Sequence, residues 1–134
     1  MVNLLDIIGD KWSLIIVRDL FQGKKTFGEF LLSPEKISTT VLTSRLKFLE
    51  IAGIIDHVLS KKDKKVKFYY LTDKGIDLFP VIYEMKYWSV KNLDKECHQV
   101  SQKGFKNHQS GTSEVFVQTN QNNYLELRKE LLNA

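Results

Sequence analysis

A single cysteine, Cys97, among 134 residues excludes an internal disulfide framework and a cysteine-rich zinc site. So sparing a use of thiols fits a reducing compartment. Long apolar runs are missing too. Leu14-Ile15-Ile16-Val17 is typical of the uninterrupted apolar stretches, far short of the ~20 residues a membrane helix requires. The N-terminal residues show no basic region followed by an apolar core, so no secretory signal is read there. These absences lead to the expectation of a soluble, cytoplasmic chain with no membrane partner.

Signatures of catalysis and metal binding are equally scarce. Gly23-Lys24-Lys25-Thr26 matches the end of a phosphate-binding loop, but that loop needs a glycine five residues earlier, where Arg18 stands. Neither a G-x-G-x-x-G nor a G-x-S-x-G motif occurs. His57, Cys97, His98 and His108 lack the paired spacing of a zinc site. Asp73 and Asp77 have helical spacing but no apolar pocket to tune their acidity. The chain is therefore read as no enzyme, with no metal and no cofactor.

What is present is an ordinary globular composition, 43% hydrophobic and 27% charged, with a net charge of +4. That surplus is localised. The segment Lys61-Lys62-Asp63-Lys64-Lys65-Val66-Lys67 holds five lysines against one aspartate. Without it, residues 1–97 would be slightly acidic. A concentrated positive field of this kind suits a polyanionic partner.

Periodicity places the elements. Residues 2–8 read as a short helix with Leu4, Leu5 and Ile8 inward, stopped by Gly9. Asp10 caps a second helix whose stripe is Trp12, Ile15, Ile16 and Leu20, ended by Gly23. Thr26-Phe27-Gly28-Glu29 is a capping box opening a short helix that buries Phe27, Phe30 and Leu31, and Ser33-Pro34 closes it. Ser38 caps the next helix, which runs to about Ala52 with a seam of Leu42, Leu46 and Leu49. Helix, tight break and well-capped second helix form a helix-turn-helix pattern.

Two strands follow, within Ile54–Ser60 and Val66–Leu71, joined by the lysine-rich loop as a β-hairpin. Thr72 then caps a long helix with Ile76, Phe79, Ile82, Tyr83, Tyr87 and Val90 on its apolar face and a kink expected at Pro80. From His98 to Asn123 the chain turns polar. It reads as a connector with a short strand at Val115-Phe116-Val117, before an amphipathic helix over Tyr124 to Leu132.

The candidate site lies on the 38–52 helix. Opposite its leucine seam stand Thr40, Thr43, Ser44 and Lys47, with Ser38 at the cap, Thr39 to one flank and Arg45 on the border. Short hydroxyl side chains with one cation can enter a major groove about 12 Å wide and bond base edges or phosphates. Arg45 is placed to reach a phosphate or a guanine edge. The hairpin lysines Lys61, Lys62, Lys64, Lys65 and Lys67 suit the flanking sugar-phosphate backbone. A rival use of the same fold is docking to another protein without DNA. Lysine is generally depleted at such surfaces, which speaks against it.

In this order, Leu5-Asp6-Ile7-Ile8-Gly9-Asp10-Lys11-Trp12, Phe27-Gly28-Glu29-Phe30, Ile37-Ser38 with Leu42 through Glu50, Gly53-Ile54-Ile55 and Tyr70-Leu71-Thr72-Asp73-Lys74-Gly75 resemble the landmarks of HxlR-type regulators, within the MarR-like winged-helix group. The resemblance covers about residues 3–92. It implies transcription regulation by a homodimer that binds pseudo-palindromic double-stranded DNA operators.

It also implies an interface of first and last helices, carried here by Leu4, Leu5, Ile8, Phe79, Tyr83, Tyr87 and Trp88. Surplus aromatics on a helix too long for so small a core agree with that. A small-molecule effector between the dimer helices, near Trp12 and Trp88, is compatible with it. Several family members sense oxidants through a cysteine ahead of the first helix. None stands there in this sequence, and Cys97 is an unrelated position.

The expected fold class is therefore α+β, mostly α: a winged helix-turn-helix with a two-stranded β-hairpin wing and a long C-terminal dimerisation helix. Residues 1–97 form the DNA-binding and dimerisation domain, and 98–134 a polar extension.

Overall fold

The structure, a computed structural model, describes residues 3–93 and 112–133. Its elements are α1 (Leu4–Ile8), α2 (Lys11–Phe21), α3 (Phe27–Leu31), α4 (Thr39–Ile51), β1 (Ile55–Leu59), β2 (Lys67–Leu71), α5 (Asp73–Ile76), α6 (Phe79–Asn92) and α7 (Thr112–Asn133). The strands pair antiparallel, with Ile55 opposite Leu71 and Leu59 opposite Lys67. The α+β, mostly helical class and the two-stranded wing are as the sequence indicates.

Local chemistry accounts for the helix starts. The Asp10 carboxylate accepts the Trp12 N–H at 3.0 Å, and the Ser38 hydroxyl accepts the Val41 N–H at 3.2 Å. The capping box at Thr26 and Glu29 is fully formed. Gly53, at φ 76°, turns the chain out of α4 in a conformation that side chains other than glycine rarely take.

One core unites these elements. Ile16, Val17 and Leu20 of α2 meet Phe30, the α4 seam of Leu42, Leu46 and Leu49, and Ile54, Ile55 and Leu71 of the hairpin. All ten are no more than 3% exposed, so α4 is held by burial of one face while the other is left to solvent.

Three expectations are corrected. Leu4 and Leu5 do not point inward; they are 46% and 67% exposed. A helix of little more than one turn, packed chiefly on α2, cannot turn both leucines to a single neighbour. The side chain of Ile8 lies outside the described residues, as do Cys97, His98 and His108.

Secondly, Pro80 does not kink one long helix but starts a new one. It lies in the first turn of α6, where its missing N–H is no loss, after a break at Asp77 and Leu78. The carbonyl of Ile76, which that N–H would have served in a continuous helix, instead accepts from the Gln121 amide at 3.1 Å.

Thirdly, residues 115–117 are not a strand. They belong to α7, which covers residues 112–123 of the stretch read as connector and continues unbroken through the helix expected over Tyr124 to Leu132. Residues 98–111 of that stretch lie outside the described residues. The least exposed positions of α7, Val117, Asn120, Gln121, Tyr124, Arg128 and Leu131, recur at helical spacing. Asn120, Gln121 and Arg128 are polar, so the docking face carries little hydrophobic signature.

Candidate nucleic-acid interface

The exposed face of α4 presents what its spacing foretells. Ser38, Thr39, Thr40, Thr43, Ser44 and Lys47 are exposed, over the buried leucine seam. The Thr43 hydroxyl donates to the Thr39 carbonyl at 2.8 Å, one turn back. Its proton is thus engaged, and what it offers outward is an acceptor oxygen and a methyl group.

Arg45 is differently occupied. Its Nη1 donates to the Asp10 carboxylate at 2.8 Å, Nη2 donates to the Ser44 hydroxyl at 3.2 Å, and the guanidinium lies 5.2 Å from the Phe48 ring centre. Desolvation opposes ionisation of Asp10. Hydrogen bonds from Arg45, Ser13 and the Trp12 N–H, with the Arg45 charge, outweigh it and hold the carboxyl below the usual carboxylate range. In this arrangement Arg45 fastens α4 to the start of α2.

A second clasp sits at the other end of α2. Asp19, 1% exposed, accepts from Arg18 Nε at 3.2 Å and Nη2 at 2.9 Å, and from the Ser33 hydroxyl in the turn before α4. Lys24 Nζ lies 3.4 Å from the same carboxylate, and Arg18 continues to Glu35. Burial alone would lower the Arg18 pKa, yet its bonds to Glu35 and Asp19 raise it. The turn also contains Lys36 at φ 57°, a left-handed backbone. The clasp therefore ties α2 to the link between the two helices of the helix-turn-helix.

The wing tip is built rather than loose. Ser60 Oγ accepts the N–H groups of Lys62 and Asp63 at 3.3 and 3.4 Å, and the Asp63 carboxylate accepts the Lys65 N–H at 3.0 Å. Lys61, Lys62, Lys64, Lys65 and Lys67 are all exposed. None of the five pairs with a carboxylate among the described residues.

Helix and wing border one concavity. A groove of about 630 Å³ has Thr43 of α4 on one wall, Lys65, Lys67 and Tyr69 on another, and Thr26 and Gly28 at the start of α3. Thus Thr43 and two wing lysines share one groove, while Lys61, Lys62 and Lys64 lie out at the tip. Lys25 was not singled out from sequence, where it counted only as part of a failed phosphate loop. It is exposed, with Nζ 4.8 Å from the centre of the Phe68 ring in β2. Lys24, its neighbour, is taken up by Asp19 and Ser33.

His57 lies within 2.9 Å of the Glu50 carboxylate, bracing β1 on α4. Among the described residues, no three His, Cys, Asp or Glu side chains converge, and no helix is long and apolar enough to cross a membrane.

The residues assigned to a subunit interface divide into two sets. Leu4, Leu5 and Trp88 are exposed, Trp88 at 56%. Phe79 packs edge-on against Phe21 of α2, ring centres 4.9 Å apart, and Tyr83 is buried with Phe116 of α7 at 5.3 Å. Tyr87 is half-buried.

Residues 7–97 match the model of the HxlR-like helix-turn-helix family. The HTH-type transcriptional regulator YdeP of Bacillus subtilis is 42% identical over 91 residues, 68% of this chain and 71% of YdeP. Among solved structures, PA1607 superposes with a TM-score of 0.64 at 38% identity, covering 70% of this chain and 66% of that one. The redox regulator HypR in its oxidized form gives 0.60 at 36% identity, covering 68% and 94%. The chain belongs to the HxlR-like helix-turn-helix family of transcriptional regulators.

Proposed function

We propose that the chain binds double-stranded DNA as a homodimer and regulates transcription from a pseudo-palindromic operator. In this reading α4 enters the major groove, with Thr39, Thr40, Thr43, Ser44 and Lys47 towards base edges and phosphates, and the wing lysines lie along the flanking backbone. The observation that carries it is the groove bordered by both Thr43 and Lys65 with Lys67. Hydroxyls and a methyl on one wall, with lysines that pair with no carboxylate among the described residues on the other, complement a base edge next to a phosphate row. Arg45 acts through α4, holding it against Asp10.

The homodimer is supported by apolar side chains left outside the core, Leu4 and Leu5 on α1 and Met85 and Trp88 on α6. Two copies related by a twofold axis would present two α4 helices to half-sites about 34–36 Å apart, or a multiple of that. Selection from a random pool of DNA duplexes, with sedimentation of the complex, tests both parts. Enrichment of an inverted repeat bound by two chains is expected. Absence of any enriched sequence, or one chain bound to an asymmetric site, would overturn the corresponding part.

A further inference from the structure

The pairing pattern of β2 decides where its main chain must find partners. Thr72 donates to the Ile54 carbonyl at 3.0 Å and Ser60 to the Val66 carbonyl at 2.8 Å, so even-numbered residues on the β2 side face β1. Tyr69 and Leu71 consequently turn their N–H and C=O groups to the outer edge. Buried main-chain groups there need other partners. The Tyr69 N–H donates to the Lys25 carbonyl at 2.7 Å.

Leu71, fully buried, is served entirely by α7. Its N–H donates to the Tyr124 hydroxyl at 2.8 Å, and its carbonyl accepts from Arg128 Nη1 at 3.0 Å. Arg128 Nη2 also pairs with Asp73 at 2.8 Å, just beyond the strand. Tyr124 is 5% exposed and packs edge-on against Phe21, ring centres 5.4 Å apart. Burial pushes its phenol pKa up, which keeps the hydroxyl neutral. Two side chains one helical turn apart thus close both main-chain groups at the root of the wing. Neither lies within the family match of residues 7–97.

We propose that α7, which lies outside the family match, is a wing anchor, with Tyr124 and Arg128 as positioning residues. They hold β2 at Leu71 and so fix the angle at which the wing lysines stand over the groove. The DNA-binding part of this inference rests on the function proposed above.

The test uses the full chain with Tyr124→Phe and, separately, Arg128→Met. Amide exchange, read residue by residue without DNA, should quicken about tenfold at Leu71 and along β2, the factor expected for losing about one hydrogen bond. Exchange at Leu46 and Leu49 of α4 should stay unchanged. With DNA, each variant should bind the selected operator less tightly and with a shallower salt dependence. Neither variant should weaken binding further in a chain whose five wing lysines are Ala, because the anchor acts through them.

Equal acceleration in α4 and β2 would mean general loosening and would overturn the anchor, as would unchanged exchange in β2. Equal weakening with and without the wing lysines would overturn the positioning role. A wild-type chain that binds no duplex would sink the functional reading, while the exchange data would still judge the anchor. Should Tyr124→Phe prove unfolded, Arg128→Met, which spares the buried ring, decides the matter.

Discussion

Changing Asp19 to Asn removes one charge from the clasp at the helix-turn-helix while keeping its shape. The carboxylate accepts two bonds from Arg18 through Oδ1, and the Ser33 hydroxyl with Lys24 nearby through Oδ2. The amide has one acceptor oxygen, so its NH2 must face either a guanidinium or an ammonium-and-hydroxyl pair. Breaking a buried ion pair from one side costs about 3–5 kcal/mol, because the remaining charge stays desolvated.

Two features favour the lower end of that range. Arg18 keeps Glu35, and Arg18 and Lys24 are each about a quarter exposed. A loss of about 3 kcal/mol is a large share of the 5–15 kcal/mol that stabilises a domain. Urea denaturation followed by circular dichroism should show a lower midpoint with an unchanged slope. Arg18→Met in the Asp19→Asn background should add less than it does alone, since both changes remove one pair. A loss below about 1 kcal/mol, or full additivity, would refute the clasp as a unit.

Other consequences can be checked in parallel. The folded pKa of Asp10 lies below its ordinary value, so its ionised form contributes stability above the ordinary aspartate pKa of about 3.9, which is lost as pH falls through the lower folded value. Asp10→Asn, which keeps an N-cap, should flatten that acid limb, and Asp10→Ala should cost about 1 kcal/mol more for the lost cap. At Gly75 a Cβ would stand 2.2 Å from the Ile54 carbonyl oxygen, so Gly75→Ala should push α5 off the hairpin and destabilise the chain by about 1–3 kcal/mol in a thermal melt. Thr40→Ala and Thr43→Val should alter base preference at one position of each half-site by about 1–3 kcal/mol, read by competition between single-base operator variants.

The winged domain was legible because its signals are short-range and redundant. Asp10, Thr26 and Ser38 mark helix starts by side-chain chemistry alone, and Leu42, Leu46 and Leu49 mark the buried side of α4. Arg45 shows the limit of such reading. A helical wheel sets it at the border of the exposed face, but only the fold brings Asp10 within 2.8 Å of it.

The buried Asp19 is a similar case, since nothing local says that a carboxylate beside Arg18 will be enclosed by Ser33 and Lys24. Strand propensity in Val115-Phe116-Val117 misled because α7 docks through Gln121, Tyr124 and Arg128, bonding to main chain rather than filling a core. The Ile76 carbonyl left free at the break before Pro80 is served by Gln121 in the same way. Both involve contacts across some 45 residues or more of sequence, which periodicity does not see.

Salt dependence of operator binding offers the sharpest test of whether α4 and the wing engage one duplex together. Each phosphate contact contributes about 0.9 to the slope of log affinity against log salt. Lys65→Ala with Lys67→Ala, the pair bordering the groove with Thr43, should therefore flatten the slope by about 2, and replacing all five wing lysines by about 4–5. Base preference set by α4 should persist in both variants. Slopes identical to wild type in the five-lysine variant would contradict the shared groove as the DNA-binding surface.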